Sequence, residues 1–189
     1  MTQSEISYAV GHLAAGELVG FPTDTVYGVA ADPYQEEAVA GLANLKGRDS
    51  SKPLAVLVAD MDQAISLVKF SDVALDLADE HWPGGLTLVL RRLESIPMWI
   101  GDSQARTVGV RCPDHPVALA LLEVFGPLVV TSANKAGDQP ALDANEAAGV
   151  LGTGVAQYID GVSGGGFPST VVDLTKPAPF ILRPGPVEL

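Results

Sequence analysis

The sequence of 189 residues has a single cysteine, Cys112, so no internal disulfide forms. That cysteine and the three histidines show no zinc-binding spacing. No apolar run approaches the ~20 residues that span a bilayer, and the N-terminal MTQSEISYAV lacks the basic-then-apolar layout of a signal peptide. A soluble, cytoplasmic protein is therefore expected, with no membrane association. Basic residues are scarce: 11 Lys and Arg stand against 23 Asp and Glu, a formal net charge of −12. Such a chain repels phosphate backbones at long range, which weighs against non-specific nucleic-acid binding. With two tryptophans and five phenylalanines, the chain shows no interleaved aromatic and basic surface for stacking single-stranded bases. The phosphate-binding patterns GxxxxGK[ST] and GxGxxG are both absent; Gly164-Gly165-Gly166 does not have that spacing. His12, His81 and His115 have no Ser or Cys partner at a motif spacing, and Cys112, followed by Pro113, reads as a packed thiol.

What remains is enough for a folded core, because 47% of the residues are hydrophobic and only 18% charged. The periodicity predicts helices near 4–15 (capped by Ser4, stopped by Gly16), 35–45, 61–68, 72–80 (capped by Ser71), 115–124 and 143–150. Short apolar runs predict strands at 18–21, 54–58, 87–90, 107–110, 128–131, 156–159, 170–174 and 180–182. Several neighbouring strands have no helix between them, which points to an α/β fold with a mixed parallel and antiparallel sheet. No repeat, linker or charge block divides the chain, so residues 1–189 are expected to form one domain.

Four polar segments lie between these elements. Pro22 to Gly28 puts hydroxyls and a carboxylate at a strand's end, where a ligand site or a hydrogen-bonded turn both fit. Lys46, Arg48 and Lys52 fall within seven residues in a chain poor in cations, which favours an anion site over a solvated turn. Ser132 and Asn134, two apart after a buried strand, face one side of an extended segment or else cap a following helix. Ser169-Thr170 and Arg183-Pro184-Gly185 form the fourth segment, and Arg111 is an isolated cation at a strand end. Chemistry alone stops at a site for a phosphorylated small molecule, nucleotides included.

Taken in order, FPTDTVYGVAAD, LKGRDSSKPLAVLV, WPGGLTLVL, VGVRCPDHP, VVTSAN, PSTVVDL and RPG resemble the YrdC/Sua5 family over Leu18 to Gly185. Lys46-x-Arg48 with Ser132-x-Asn134 looks like that family's signature tetrad. The chain stops just after RPG, so it resembles the short, single-domain TsaC-type form. The resemblance implies a YrdC-like sheet around a deep, locally positive cleft and an L-threonylcarbamoyladenylate synthase. The implied reaction takes ATP, with Mg2+, together with L-threonine and bicarbonate to threonylcarbamoyl-AMP and pyrophosphate. Its product would feed N6-threonylcarbamoyladenosine formation at tRNA position 37 through a separate transferase complex. By position, Lys46, Arg48, Lys52, Thr107, Asn134 and Arg183 look like ATP contacts. Thr25, Arg111, Ser132 and Ser169 look like threonine contacts, with Arg111 suited to the carboxylate.

Three departures stand out. Leu57 replaces a histidine of longer members, Ala136 a serine, and Gly85 a proline. The competing reading is a double-stranded RNA-binding module, which a positive groove favours and the net charge opposes. A carbamoyl-transfer domain of a larger maturation protein is a third, weakened by the absence of acylphosphatase and zinc-finger segments. Finally, the glycine-rich stretch 161–168 reads as a mobile surface loop by composition and as a lid by its position before Ser169.

Overall fold

A computed structural model describes residues 2–46 and 53–189. Its helices are α1 (Gln3–Ala14), α2 (Glu36–Leu45), α3 (Met61–Ile65), α4 (Asp72–His81), α5 (Pro116–Phe125) and α6 (Ala144–Leu151). Its strands are β1 (Val19–Phe21), β2 (Gly28–Ala31), β3 (Ala55–Leu57), β4 (Val68–Lys69), β5 (Leu86–Arg92), β6 (Thr107–Arg111), β7 (Leu128–Ser132), β8 (Gln157–Tyr158), β9 (Thr170–Asp173) and β10 (Phe180–Arg183). They make one sheet in the order β10-β9-β5-β6-β3-β7-β2-β1-β8, with β4 paired to β5. The pairs β1–β8, β3–β6 and β5–β9 are parallel and the others antiparallel, so the expected mixed sheet is present.

Side chains alternate along each strand, and this decides what each face of the sheet does. Val29, Val56, Leu88, Val110 and Val129 point to the face covered by α2 (Ala38, Val39, Leu42), by Ala64 of α3 and by α4 (Ala74, Ala78). On the opposite face, α1 and α5 cover only the β1 end. There Ile6, Leu13, Leu121 and Leu122 pack on Val19, Phe21, Ala30 and Leu128. The middle of that second face carries no helix, and it lines a cleft.

Helix ends follow local chemistry. Thr2, rather than the expected Ser4, caps α1 in a reciprocal box with Glu5. Gly16 then stops the helix at φ +80°. Ser71 caps α4 and Asp143 caps α6, while His115 accepts the Val117 amide ahead of Pro116.

Two elements differ from expectation. The helix over 61–68 ends at Ile65, because Val68-Lys69 pairs with Arg91-Arg92 and Leu67 accepts the Leu93 amide. In addition, Gly28–Ala31 is a strand that the periodicity does not announce. A Gly-Val-Ala-Ala stretch has little strand propensity of its own, and its ladder bonds to β1 and β7 on both sides hold it extended.

Candidate functional site

The cleft has a volume of about 780 Å3, and its floor is the uncovered middle of the sheet. The register sets Asp173 beside Val89, Val89 beside Gly109, Gly109 beside Ala55, and Ala55 beside Val130. Between Val89 and Val130 this row is small and apolar. Polar groups gather on either side of it.

At one side is Arg111, on the last position of β6, with its side chain 6% exposed. Its Nη2 is ion-paired to Asp24, its Nη1 donates to Thr25 Oγ1 at 2.8 Å, and its Nε donates to the Gly84 carbonyl at 2.8 Å. Burial pulls the guanidinium below its ordinary pKa, and Asp24 beside it opposes that shift. Five N–H groups on a guanidinium leave one on each terminal nitrogen for an incoming anion, in the forked geometry a carboxylate accepts. Leu57 lies next to Arg111 in the register and gives this end an apolar wall.

On the other side, Lys46 ends α2 and reaches across to β7. Its Nζ donates to Thr131 Oγ1 (3.0 Å), the Ser132 carbonyl (2.9 Å) and Ser132 Oγ (2.7 Å). Ser132 Oγ in turn donates to Asn134 Oδ1 at 2.7 Å, and the Asn134 amide donates to the carbonyls of Lys135 and Asp138. Ser132 and Asn134 therefore form a relay from Lys46 that shapes the 132–138 loop, rather than a cap on a following helix. Thr107 lines the same side of the cleft, 7% exposed.

A third group closes the far wall. Thr87 Oγ1 and Ser169 Oγ are 2.7 Å apart. Arg183 Nε and Nη2 both donate to the Ser169 carbonyl (3.0 and 2.8 Å), and Nη2 also reaches Ser169 Oγ at 3.1 Å. The expected ATP contact Arg183 and the expected threonine contact Ser169 are thus one unit. Gly185 makes that unit fit, because a Cβ there would collide with the backbone at Pro168 to Thr170. Similarly, a Cβ on Gly85 would come 2.7 Å from the Pro186 ring, so glycine at 85 makes room for the segment after Arg183.

The 161–168 loop is tied to the cleft wall. The amides of Gly164, Gly165 and Gly166 donate to the carbonyls of Thr23 and Thr25, and Ser163 Oγ accepts the Thr23 amide. A Cβ on Gly164 would come 2.8 Å from the Asp24 carbonyl oxygen, so the glycines serve close backbone approach.

Of the ten residues singled out from the sequence, Thr25, Lys46, Thr107, Arg111, Ser132, Asn134, Ser169 and Arg183 all line this cleft. Arg48 and Lys52 lie outside the described residues. Ala136 is at the rim, where its amide donates to the Lys46 carbonyl. The cleft also holds Thr23, from the Pro22 to Gly28 polar segment, together with Thr87, Asp102 and Asp173, to none of which the sequence reading assigned a role. Thr87 had a signal: it is the polar member alternating with Leu86, Leu88 and Leu90. Asp173 lies in the PSTVVDL motif, where no role is assigned to it, and Asp102 carries no local mark. Burial acts to raise the Asp173 pKa, yet the Thr175 hydroxyl and amide and the nearby Lys176 hold it below its ordinary value. Among the described residues, no histidine lines the cleft.

The family model for Sua5, YciO and YrdC, described as telomere recombination, matches residues 12–185. The chain belongs to this family. A Mycobacterium tuberculosis (strain CDC 1551 / Oshkosh) member, provisionally named threonylcarbamoyl-AMP synthase, is 46% identical over 181 residues, covering 95% of this chain and 83% of its own. The threonylcarbamoyl-AMP synthase of Pyrococcus abyssi (strain GE5 / Orsay) is 39% identical over 188 residues, covering 98% of this chain. The crystal structure of P. abyssi Sua5 complexed with L-threonine superposes with a TM-score of 0.92 at 38% identity over 98% of this chain. This chain spans 55% of that longer protein. E. coli YciO is likewise similar, with a TM-score of 0.90 and 27% identity over 97% of this chain and 90% of its own. The overall α/β fold is thus shared with these proteins.

Proposed function

We propose that this family member is a threonylcarbamoyl-AMP synthase, forming threonylcarbamoyl-AMP and pyrophosphate from ATP, L-threonine and bicarbonate. The observation that carries the reading is the division of the cleft: a buried arginine with acceptors around it on one side, a lysine and hydroxyls on the other, and an apolar floor between. Relatives bearing that enzyme name, and a relative crystallised with L-threonine, support it.

The chemistry suits such a cleft. Threonine's amine takes up the carbon of bicarbonate as a carbamate, and one bicarbonate oxygen leaves as water. A carbamate oxygen then bonds to the α-phosphorus of ATP, and the bond to the pyrophosphate oxygen breaks. Both partners are anions, so the step needs charge neutralisation and alignment more than a dedicated base. On this reading Arg111 takes the threonine carboxylate on its two remaining N–H groups, with Thr25 and Ser169 beside it. Lys46, Thr107, Asn134 and Arg183 shape the triphosphate side, to which Arg48 and Lys52 are also assigned. Ser132, hydrogen-bonded to both Lys46 and Asn134, is the threonine contact next to that side. The apolar floor under the junction holds no group that would deliver water to the carbamate.

Mg2+ enters with ATP. The described residues contain no group of three His, Cys, Asp or Glu able to hold a metal. That fits an ion carried by phosphate oxygens and water, where it offsets triphosphate charge. The product would pass to a separate transferase complex that modifies adenosine 37 of tRNA, and the work belongs in the cytoplasm. Among the described residues, no helix is long and apolar enough to cross a membrane.

The test is pyrophosphate release with each substrate omitted in turn. Release should require both threonine and bicarbonate, with an AMP-linked product of the expected mass. ATP turnover indifferent to threonine overturns the reading.

A further inference from the structure

Three consecutive contacts in the Thr23-Asp24-Thr25 turn determine which way its hydroxyl protons point. Thr23 Oγ1 donates to the Val26 carbonyl at 2.7 Å, which commits its only proton. The same oxygen accepts the Thr25 amide at 3.2 Å and lies 3.0 Å from Thr25 Oγ1. Because Thr23 has no second proton, the Thr25 hydroxyl must be the donor in that last contact. Thr23 is then saturated, with one bond given and two received. Thr25 Oγ1 has spent its proton on Thr23 and one lone pair on Arg111 Nη1. One lone pair is left, on a residue that lines the cleft.

The backbone around the turn is held by the 161–168 loop, and both threonines are 3% exposed, so this arrangement is built in before any ligand arrives. An oxygen restricted to accepting repels a carboxylate and recognises an N–H or O–H.

We infer that Thr23 is a positioning residue that makes Thr25 an obligate acceptor for a hydrogen-bond donor of the amino-acid substrate. The Thr23 hydroxyl itself has no hydrogen bond to spare for the substrate. The substrate's carboxylate is directed to Arg111, and its amine or side-chain hydroxyl to Thr25. A site that can only accept at this point admits the neutral amine needed for carbamate formation, or reads the hydroxyl that separates threonine from 2-aminobutyrate. The inference rests on the synthase reading above.

The isosteric Thr23→Val removes the acceptor that fixes Thr25, freeing its proton to swing toward the substrate. The KM for threonine should rise about tenfold while the KM for ATP stays within about twofold, and Thr23→Ser should return both near wild type. An unchanged ATP KM in the same sample shows that the variant is folded. The inhibition constant of L-2-aminobutyrate identifies the donor. A rise in parallel with the threonine KM assigns the amine and no rise assigns the hydroxyl, and both uphold the inference. A wild-type enzyme lacking threonine-dependent turnover would refute the synthase reading. If the wild type is threonine-dependent, a threonine KM unchanged in Thr23→Val, or Thr23→Ser behaving like Thr23→Val, overturns the role of Thr23 alone.

Discussion

Single side chains in this protein owe their properties to neighbours brought from far along the chain. Arg111 and Asp24 lie 87 positions apart and form an ion pair in which the arginine is nearly sealed from water. Removing only Asp24 leaves a buried cation without its counter-charge, so Asp24→Ala should cost about 3 kcal/mol in urea unfolding. Adding Arg111→Met to it should cost less than the sum of the two single changes, because the orphaned charge goes too. A strictly additive double mutant would show that the pair is not coupled. Cys112, the next residue, donates its thiol to the Ala59 carbonyl, and burial pushes its pKa up to about 11. At pH 8 only about one molecule in a thousand then carries the thiolate. Iodoacetamide should therefore modify native Cys112 slowly and the urea-unfolded chain quickly. Rapid labelling of the native protein would contradict the packed-thiol reading. His12 and His115 have structural partners instead: Glu17 for His12, and the start of α5 for His115.

The elements show where local pattern suffices and where it does not. Strands β5, β6 and β7 are legible because Leu86, Leu88 and Leu90, then Val108 and Val110, then Leu128 and Val129 carry the apolar signal themselves. By contrast β2 is a strand only because β1 and β7 flank it, and β4 only because β5 ends beside it. The glycines after the core strands depend on contacts as well. Gly185 packs against the backbone of Pro168 to Thr170, which sets Ser169 under Arg183. Gly185→Ala has to displace that backbone, so it should destabilise the fold by about 1–3 kcal/mol and raise the threonine KM. A variant with wild-type melting temperature and threonine KM would show that the contact is slack. The 161–168 loop belongs to the same class. Composition favours a loose loop, whereas its amides are bonded to Thr23 and Thr25 and its glycines are needed for that approach.

Across the whole molecule, a net charge of −12 coexists with a cleft whose walls carry Lys46, Arg111 and Arg183. These three cations lie inside the cleft, while Lys69, Arg91, Arg106, Lys135 and Lys176 are exposed outside it. The 23 acidic residues nevertheless outnumber the 11 basic ones, so a duplex phosphate backbone meets a net acidic molecule. Double-stranded RNA should accordingly show no retention in filter binding near 0.15 M salt. Tight RNA binding with a steep salt dependence would require an exterior cationic surface that these positions do not supply. The sequence by itself was sufficient for the mixed α/β class and most of its strands and helices, because alternation and amphipathic spacing are local properties. It was also sufficient for the family, whose motifs run in order along nearly the whole chain. Only the tertiary structure decided that Thr23 is saturated and Thr25 left accepting, that Arg183 and Ser169 form one unit, and that Asp102 and Asp173 reach the cleft. The reason is physical: Arg111 meets Thr25, Thr87 meets Ser169 and Thr23 meets Ser163 across 86, 82 and 140 positions. The nearer contacts, Thr23 with Val26 and Arg183 with Ser169 across 14 positions, depend on the turn and loop geometry that those long-range contacts hold.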